Sequence, residues 1–178
     1  MSLRIKFEHT SDVAVVRCSG RLVRGEALHS LKEAVTSLSG LRVIVLDLFE
    51  VEMLDGGGLG MLVFLHKWTR AAGIQLKLVN PSSLVLEMLT RTRLTSVLHI
   101  SSIVDVVEIF CNSNASTENV DRAVAWLIFN TLGFRPQLVS RWLAPKSNAT
   151  RCKNLSLSMQ HSIEVMSGSA RLPYQELN

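Results

Sequence analysis

The run Val43-Ile44-Val45-Leu46, followed at once by Asp47, constrains this chain more than any other stretch. It has no polar alternate positions, so a strand built from it offers no face to water. Such a strand lies inside a sheet covered on both sides, which calls for helices packed against it.

The neighbouring segments supply the other elements. Leu3, Ile5 and Phe7 alternate with Arg4, Lys6 and Glu8, the period of a strand with one wet face. Thr10-Ser11-Asp12 is turn chemistry, and Val13 to Cys18 reads as the second arm of a hairpin that Gly20 closes. Ala27, Leu28, Leu31, Ala34, Val35 and Leu38 recur at helical spacing, with Gly40 just past the end. A second helix is expected from the glycines at 56–60 to about Ala72. It is apolar nearly all round (Leu59, Met61, Leu62, Val63, Phe64, Leu65, Trp68), which predicts deep burial. Gly73 stops it, and Ile74, Leu76 and Leu78 alternate as a further strand.

Asn80-Pro81-Ser82 opens a third helix through Leu84, Val85, Met88 and Leu89. Val97 to Ile100 is expected as a short strand. Ser102 and Asp105 match a capping box ahead of a fourth helix bearing Ile103, Val106, Val107 and Phe110. The order β-β-α-β-α-β-α-β-α gives an α/β domain, a small mixed or parallel sheet packed by about four helices, over residues 1–111. Residues 112–178 form a C-terminal extension. Asn112-Ser113-Asn114-Ala115-Ser116 reads as a polar linker, 121–134 as one helix ended by Gly133 and Pro136, and the Ser- and Asn-rich remainder as disordered.

Composition narrows the chemistry. The 178 residues carry a formal charge of +4, and the basic side chains are scattered without interleaved aromatics, which argues against nucleic-acid binding. Cys18, Cys111 and Cys152 are an odd, widely spaced set, which supports neither a disulfide framework nor a zinc site. His9, His29, His66 and His99 are too far apart in sequence to suggest metal ligands, and no cofactor is expected. The glycines at 56–60 lack the Lys-Ser/Thr pair of a phosphate loop, and Leu48 to Leu54 separates them from the apolar strand. No nucleophile elbow or acid/base pair stands out, so no catalytic residue and no enzyme activity are expected. The start lacks the continuous apolar stretch of a signal peptide, and no stretch approaches the ~20 apolar residues that span a bilayer. A cytoplasmic protein, not inserted in a membrane, is expected.

The segment from Val43 to Leu62 resembles the signature of STAS domains, the family of bacterial anti-sigma factor antagonists. There an apolar strand ends in Asp, a short loop ends in Asp-Ser-Ser-Gly-Leu, and a helix follows. Here the stretch reads Val-Ile-Val-Leu-Asp, then Leu48 to Leu54, then Asp55-Gly56-Gly57-Gly58-Leu59. Gly73 to Val79 and Asn80 to Thr95 resemble the family's next strand, helix and turn, with Arg93 where a glycine is more usual. The resemblance covers roughly residues 3 to 110.

It implies transcription regulation by protein binding. The expected partner is an anti-sigma factor, often a serine kinase of the histidine-kinase-like ATPase fold, docked on Asp55, Gly56, Gly57, Gly58 and Leu59. The family's phosphoacceptor serine corresponds to Gly56, which has no hydroxyl, so no phosphorylation switch is expected there. A phosphate at a helix N-terminus would suit the helix itself, so in family members its effect falls on the partner's surface. The same resemblance also fits a subunit of a phospholipid-trafficking ABC transporter complex, a scaffold of a signalling assembly, or a homo-oligomer.

Plainer readings stand beside these. Asp55 is also a good N-cap residue. His66, on the apolar helix, reads as a structural histidine. Trp126, Phe129, Phe134 and Trp142 could dock on a partner or fold back on the domain's own surface.

Overall fold

The structure, a computed structural model, describes residues 2–10 and 12–111. The expected helix at 121–134, the linker, the tail and their aromatic residues lie outside these. The described elements are β1 (Arg4–Thr10), β2 (Val13–Leu22), α1 (Glu26–Thr36), β3 (Val43–Leu54), α2 (Gly56–Ala71), β4 (Gln75–Val79), α3 (Ser83–Arg91), β5 (Ile100–Ser101) and α4 (Ile103–Cys111). The expected element order holds throughout.

The five strands lie side by side in sequence order. β1 and β2 are an antiparallel hairpin, and β2, β3, β4 and β5 are parallel neighbours. Parallel strands that advance in one direction take right-handed crossovers, which put α1, α2 and α3 on one face. The core follows that geometry. Val16, Cys18, Ile44, Leu46, Leu76 and Leu78 of the strands meet Leu28, Leu31 and Val35 of α1, Leu62 and Leu65 of α2, and Val85 and Leu89 of α3. The alternate strand residues Val13, Val15, Val43 and Val45 point to the opposite face and are also fully buried. This is the two-sided burial that the Val43–Leu46 run predicts.

Four local expectations change. β2 does not close at Gly20. It continues to Leu22, and Gly20 takes φ 93° inside the strand, where its missing side chain lets the Ser2 carbonyl approach.

β3 does not end at Asp47. Leu48 to Leu54 is strand, not loop, and stays paired with β2. Between Arg17↔Asp47 and Leu22↔Leu54 the pairing slips twice, each time with one extra residue in β3. The inward positions therefore fall three apart, at Leu48, Val51 and Leu54, and the usual alternation is lost.

α2 is buried along a single stripe (Gly58, Leu59, Leu62, Leu65, Thr69), and Phe64 is 37% exposed, so the prediction of all-round burial fails. A helix lying on one sheet face has one side to bury, whatever its composition.

The expected strand at Val97–Ile100 is instead a 3₁₀ turn at Leu94–Ser96 followed by the two-residue β5. Arg93, which begins this turn, takes φ 57°. That left-handed backbone is the physical reason a glycine would sit comfortably there.

Both expected helix starts hold. Ser82 Oγ accepts the Val85 N–H at 3.4 Å and donates to the Val51 carbonyl at 2.9 Å. Ser102 and Asp105 close a reciprocal capping box at 2.9 and 3.1 Å.

Candidate functional site

The site is built where β3 hands over to α2. Asp55 stands between them in extended backbone and caps the helix. Its Oδ1 accepts the Gly58 N–H at 2.8 Å, and its carbonyl accepts the Leu59 N–H at 2.9 Å. The carboxylate also takes the Arg24 N–H, at 3.2 Å to Oδ1 and 3.0 Å to Oδ2. One side chain thus fixes the helix start and the loop between β2 and α1. The Arg24 N–H, followed by that of Gly58, holds the Asp55 carboxyl below the ordinary carboxylate range.

The glycines after Asp55 divide by environment. A Cβ on Gly58 would collide with the Leu22 carbonyl and come within 2.6 Å of Leu54 Cδ1. On Gly57 it would lie 2.9 Å from Arg24 Cβ. These two let the helix start press against the end of β2. Gly56 and Gly60 meet nothing within 4 Å, and neither has a positive φ. The five residues expected to form the contact surface differ in exposure. Gly58 and Leu59 are buried and face the core, Gly57 is half-buried against Arg24, and Gly56 is open beside Asp55.

What surrounds this point is set by long-range strand pairing more than by local residue pattern. The double slip in β3 turns Phe49 and Met53 outward, 48% and 44% exposed, together with Glu50 and Glu52. Beneath them Arg17 and Asp47 form a buried ion pair. Nε and Nη2 of Arg17 reach Asp47 Oδ2 at 3.0 and 2.7 Å. Asp47 Oδ1 takes the Phe49 N–H at 3.1 Å and the Asn80 side-chain N–H at 3.4 Å. β3 and β4 stop pairing at Asp47↔Val79, directly before Asn80 at φ 48°. The only sequence signal was one charge in each of two neighbouring apolar runs.

Other groups offer little chemistry. Burial, then the Asp47 charge, pushes the Cys18 thiol up to about 12, which keeps it protonated and unreactive. Among the described residues no three His, Cys, Asp or Glu side chains gather to hold a metal, and no helix is long and apolar enough to cross a membrane. What the site presents is a capped helix start with an open first turn, at the end of a strand arm that exposes Phe49 and Met53.

Comparison with known proteins bears on the family and the fold. The family profile described as STAS domain matches residues 4–107. The solved structure of the anti-sigma factor antagonist SpoIIAA in its unphosphorylated form superposes with a TM-score of 0.50 at 17% identity, over 59% of this chain and 94% of that one. An anti-sigma factor antagonist from Mycobacterium paratuberculosis gives 0.50 at 21% identity, over 56% and 85%. At these identities the likeness is one of fold. No curated protein matches.

Proposed function

Because the chain belongs to the STAS domain family, we propose that it is a protein-binding regulatory module of the anti-sigma factor antagonist type. The observation that carries this reading is the start of α2. Asp55 caps the helix, and Gly56, beside it, leaves the first turn open to a partner's surface. The docking surface is Asp55 and Gly56, bordered by Gly57, and no catalytic step takes place there. The partner is an anti-sigma factor, of the class with serine-kinase activity and a histidine-kinase-like ATPase fold.

Docking here is not switched by phosphate. Gly56 carries no hydroxyl, and no Ser, Thr or Tyr occurs between residues 41 and 68. With a flat, neutral first turn the chain acts as an antagonist held in its unphosphorylated form.

Affinity purification from the native cells, followed by mass spectrometry, tests this. A histidine-kinase-like ATPase that co-purifies with the native chain, and is lost with Gly56→Asp, supports the reading. A membrane transporter ATPase in its place replaces it with the transport-subunit role. Retention of the kinase-like partner by Gly56→Asp moves the interface off this helix.

A further inference from the structure

Two histidines far apart in sequence meet on the other half of α2. His66 lies past the middle of the helix, and His99 lies in the turn entering β5. Their ring centroids are 6.4 Å apart, at an interplanar angle of 52°, within the range of aromatic pairs. The contact joins a well-packed helix to the weakest edge of the sheet. β5 pairs with β4 through two residues only, Leu78↔Ile100 and Val79↔Ser101. The turn before it exposes Val97 by 46% and sends one side chain, Leu98, into the core. One backbone bond ties it down beyond the ladder, from Leu78 N–H to the His99 carbonyl at 2.9 Å. A two-residue edge strand held by one buried side chain opens at lower cost than the central strands.

Arg70, one turn along α2, acts on His66 together with His99. On α3, which packs against the turn, Glu87 is paired with Arg91 at 2.7 Å. Lys32 of α1 sits over the Phe64 ring, 5.1 Å from its centroid. β4 directs Leu76 and Leu78 into the core beneath α2, so Lys77 between them points to the opposite face. Arg93, at the start of the turn, is exposed.

We propose that His66 and His99 form an acid-sensitive latch between α2 and the turn entering β5. With His66 neutral the rings stay in contact. When acidification protonates His66, its cation meets the His99 and Arg70 charges that oppose it. The pair then separates, and the turn and β5 detach from β4. Burial of His66, then the charges of His99 and Arg70, disfavour its protonated form in the closed state, so opening accompanies proton uptake.

Amide hydrogen exchange by NMR, corrected for the intrinsic rate at each pH, tests this on the full chain. The reporters are the N–H groups of Leu78, Val97 and Leu98, which donate to His99, Leu94 and Leu94. The native chain is expected to lose protection at these three as the pH falls from about 7.5 to 5.5, while core amides such as Ile44 keep theirs. His99→Gln and His66→Gln, each first checked for an unchanged circular dichroism spectrum, are expected to abolish that pH dependence. Equal loss of protection in native chain and variants overturns the latch, as does protection that does not change with pH in the native chain.

Discussion

Arg17 and Asp47 meet at 2.7 Å across β2 and β3, with Asp47 fully buried and Arg17 nearly so. The pair sits at the last residue where β3 holds both neighbours, since β4 leaves after Asp47↔Val79. It marks the point beyond which β3 keeps β2 alone as a neighbour, in the arm that leads to Asp55.

Removing one partner strands the other as a buried charge, at a cost of about 3–5 kcal/mol. Arg17→Met and Asp47→Leu are each expected to destabilise by that order in urea titration. The double variant is expected to lose less than the sum, because no unpaired charge remains. Strict additivity would mean that the two side chains do not act as a pair.

The four glycines of α2 separate by the same kind of measurement. Gly58→Ala forces a methyl against the Leu22 carbonyl and Leu54, and overpacking costs about 1–3 kcal/mol or more. Gly56→Ala and Gly60→Ala meet open space in a helix, so each is expected to stabilise, by up to about 0.5–1 kcal/mol. Thermal melts of the three variants check the opposite signs. Equal effects would contradict the division of this helix start into a packed side and an open side.

The element order was legible because it rests on local periodicity and on caps such as Ser82 and the Ser102–Asp105 box. What escaped was long-range. The alternation of β3 is broken by residues inserted against β2, so Leu48, Val51 and Leu54 look like a loop until the partner strand is in place. Val97 and Leu98 have strand-like side chains, but Arg93 and the 3₁₀ turn take up the chain before it can pair. Asp55 as a cap could be read directly. That Gly58 is core and Gly56 is surface could not, because helix phase and the end of β2 decide it together.

Two groups make stability fall with acid. His66 is held below its ordinary 6.5, by burial first, then His99 and Arg70, so the unfolded chain takes up the proton first. That contribution is intact above pH 6.5 and is lost as the pH falls through the folded value. Asp55 is held below its ordinary 3.8 by the Arg24 and Gly58 N–H groups. Its contribution is intact above pH 3.8 and is lost lower still. The melting temperature is therefore expected to decline in two stages. His66→Gln removes the first, and Asp55→Asn, which can still cap the helix, removes the second. A decline unchanged in both variants would place the acid sensitivity elsewhere.

Gly56 links the fold to the proposed docking. Its open surroundings and lack of a positive φ remove the steric objection to a side chain there. Gly56→Ser is expected to leave stability within about 0.5 kcal/mol, as exposed substitutions usually do. Gly56→Asp adds negative charge at a helix N-terminus, which stabilises by about 0.3–1 kcal/mol. Against the proposed anti-sigma partner the order reverses. A carboxylate pressed into an interface without a mate costs on the order of 1–3 kcal/mol, close to tenfold in Kd for each 1.4 kcal/mol. Gly56→Ser is expected to keep affinity until a serine-kinase partner phosphorylates it, and then to lose it in the same way. Melting temperature and Kd measured on the same two variants separate the alternatives. A folded Gly56→Asp that binds as tightly as the native chain would exclude this turn from the interface. A folded Gly56→Asp that no longer binds would tie the partner to the helix start that Asp55 holds in place.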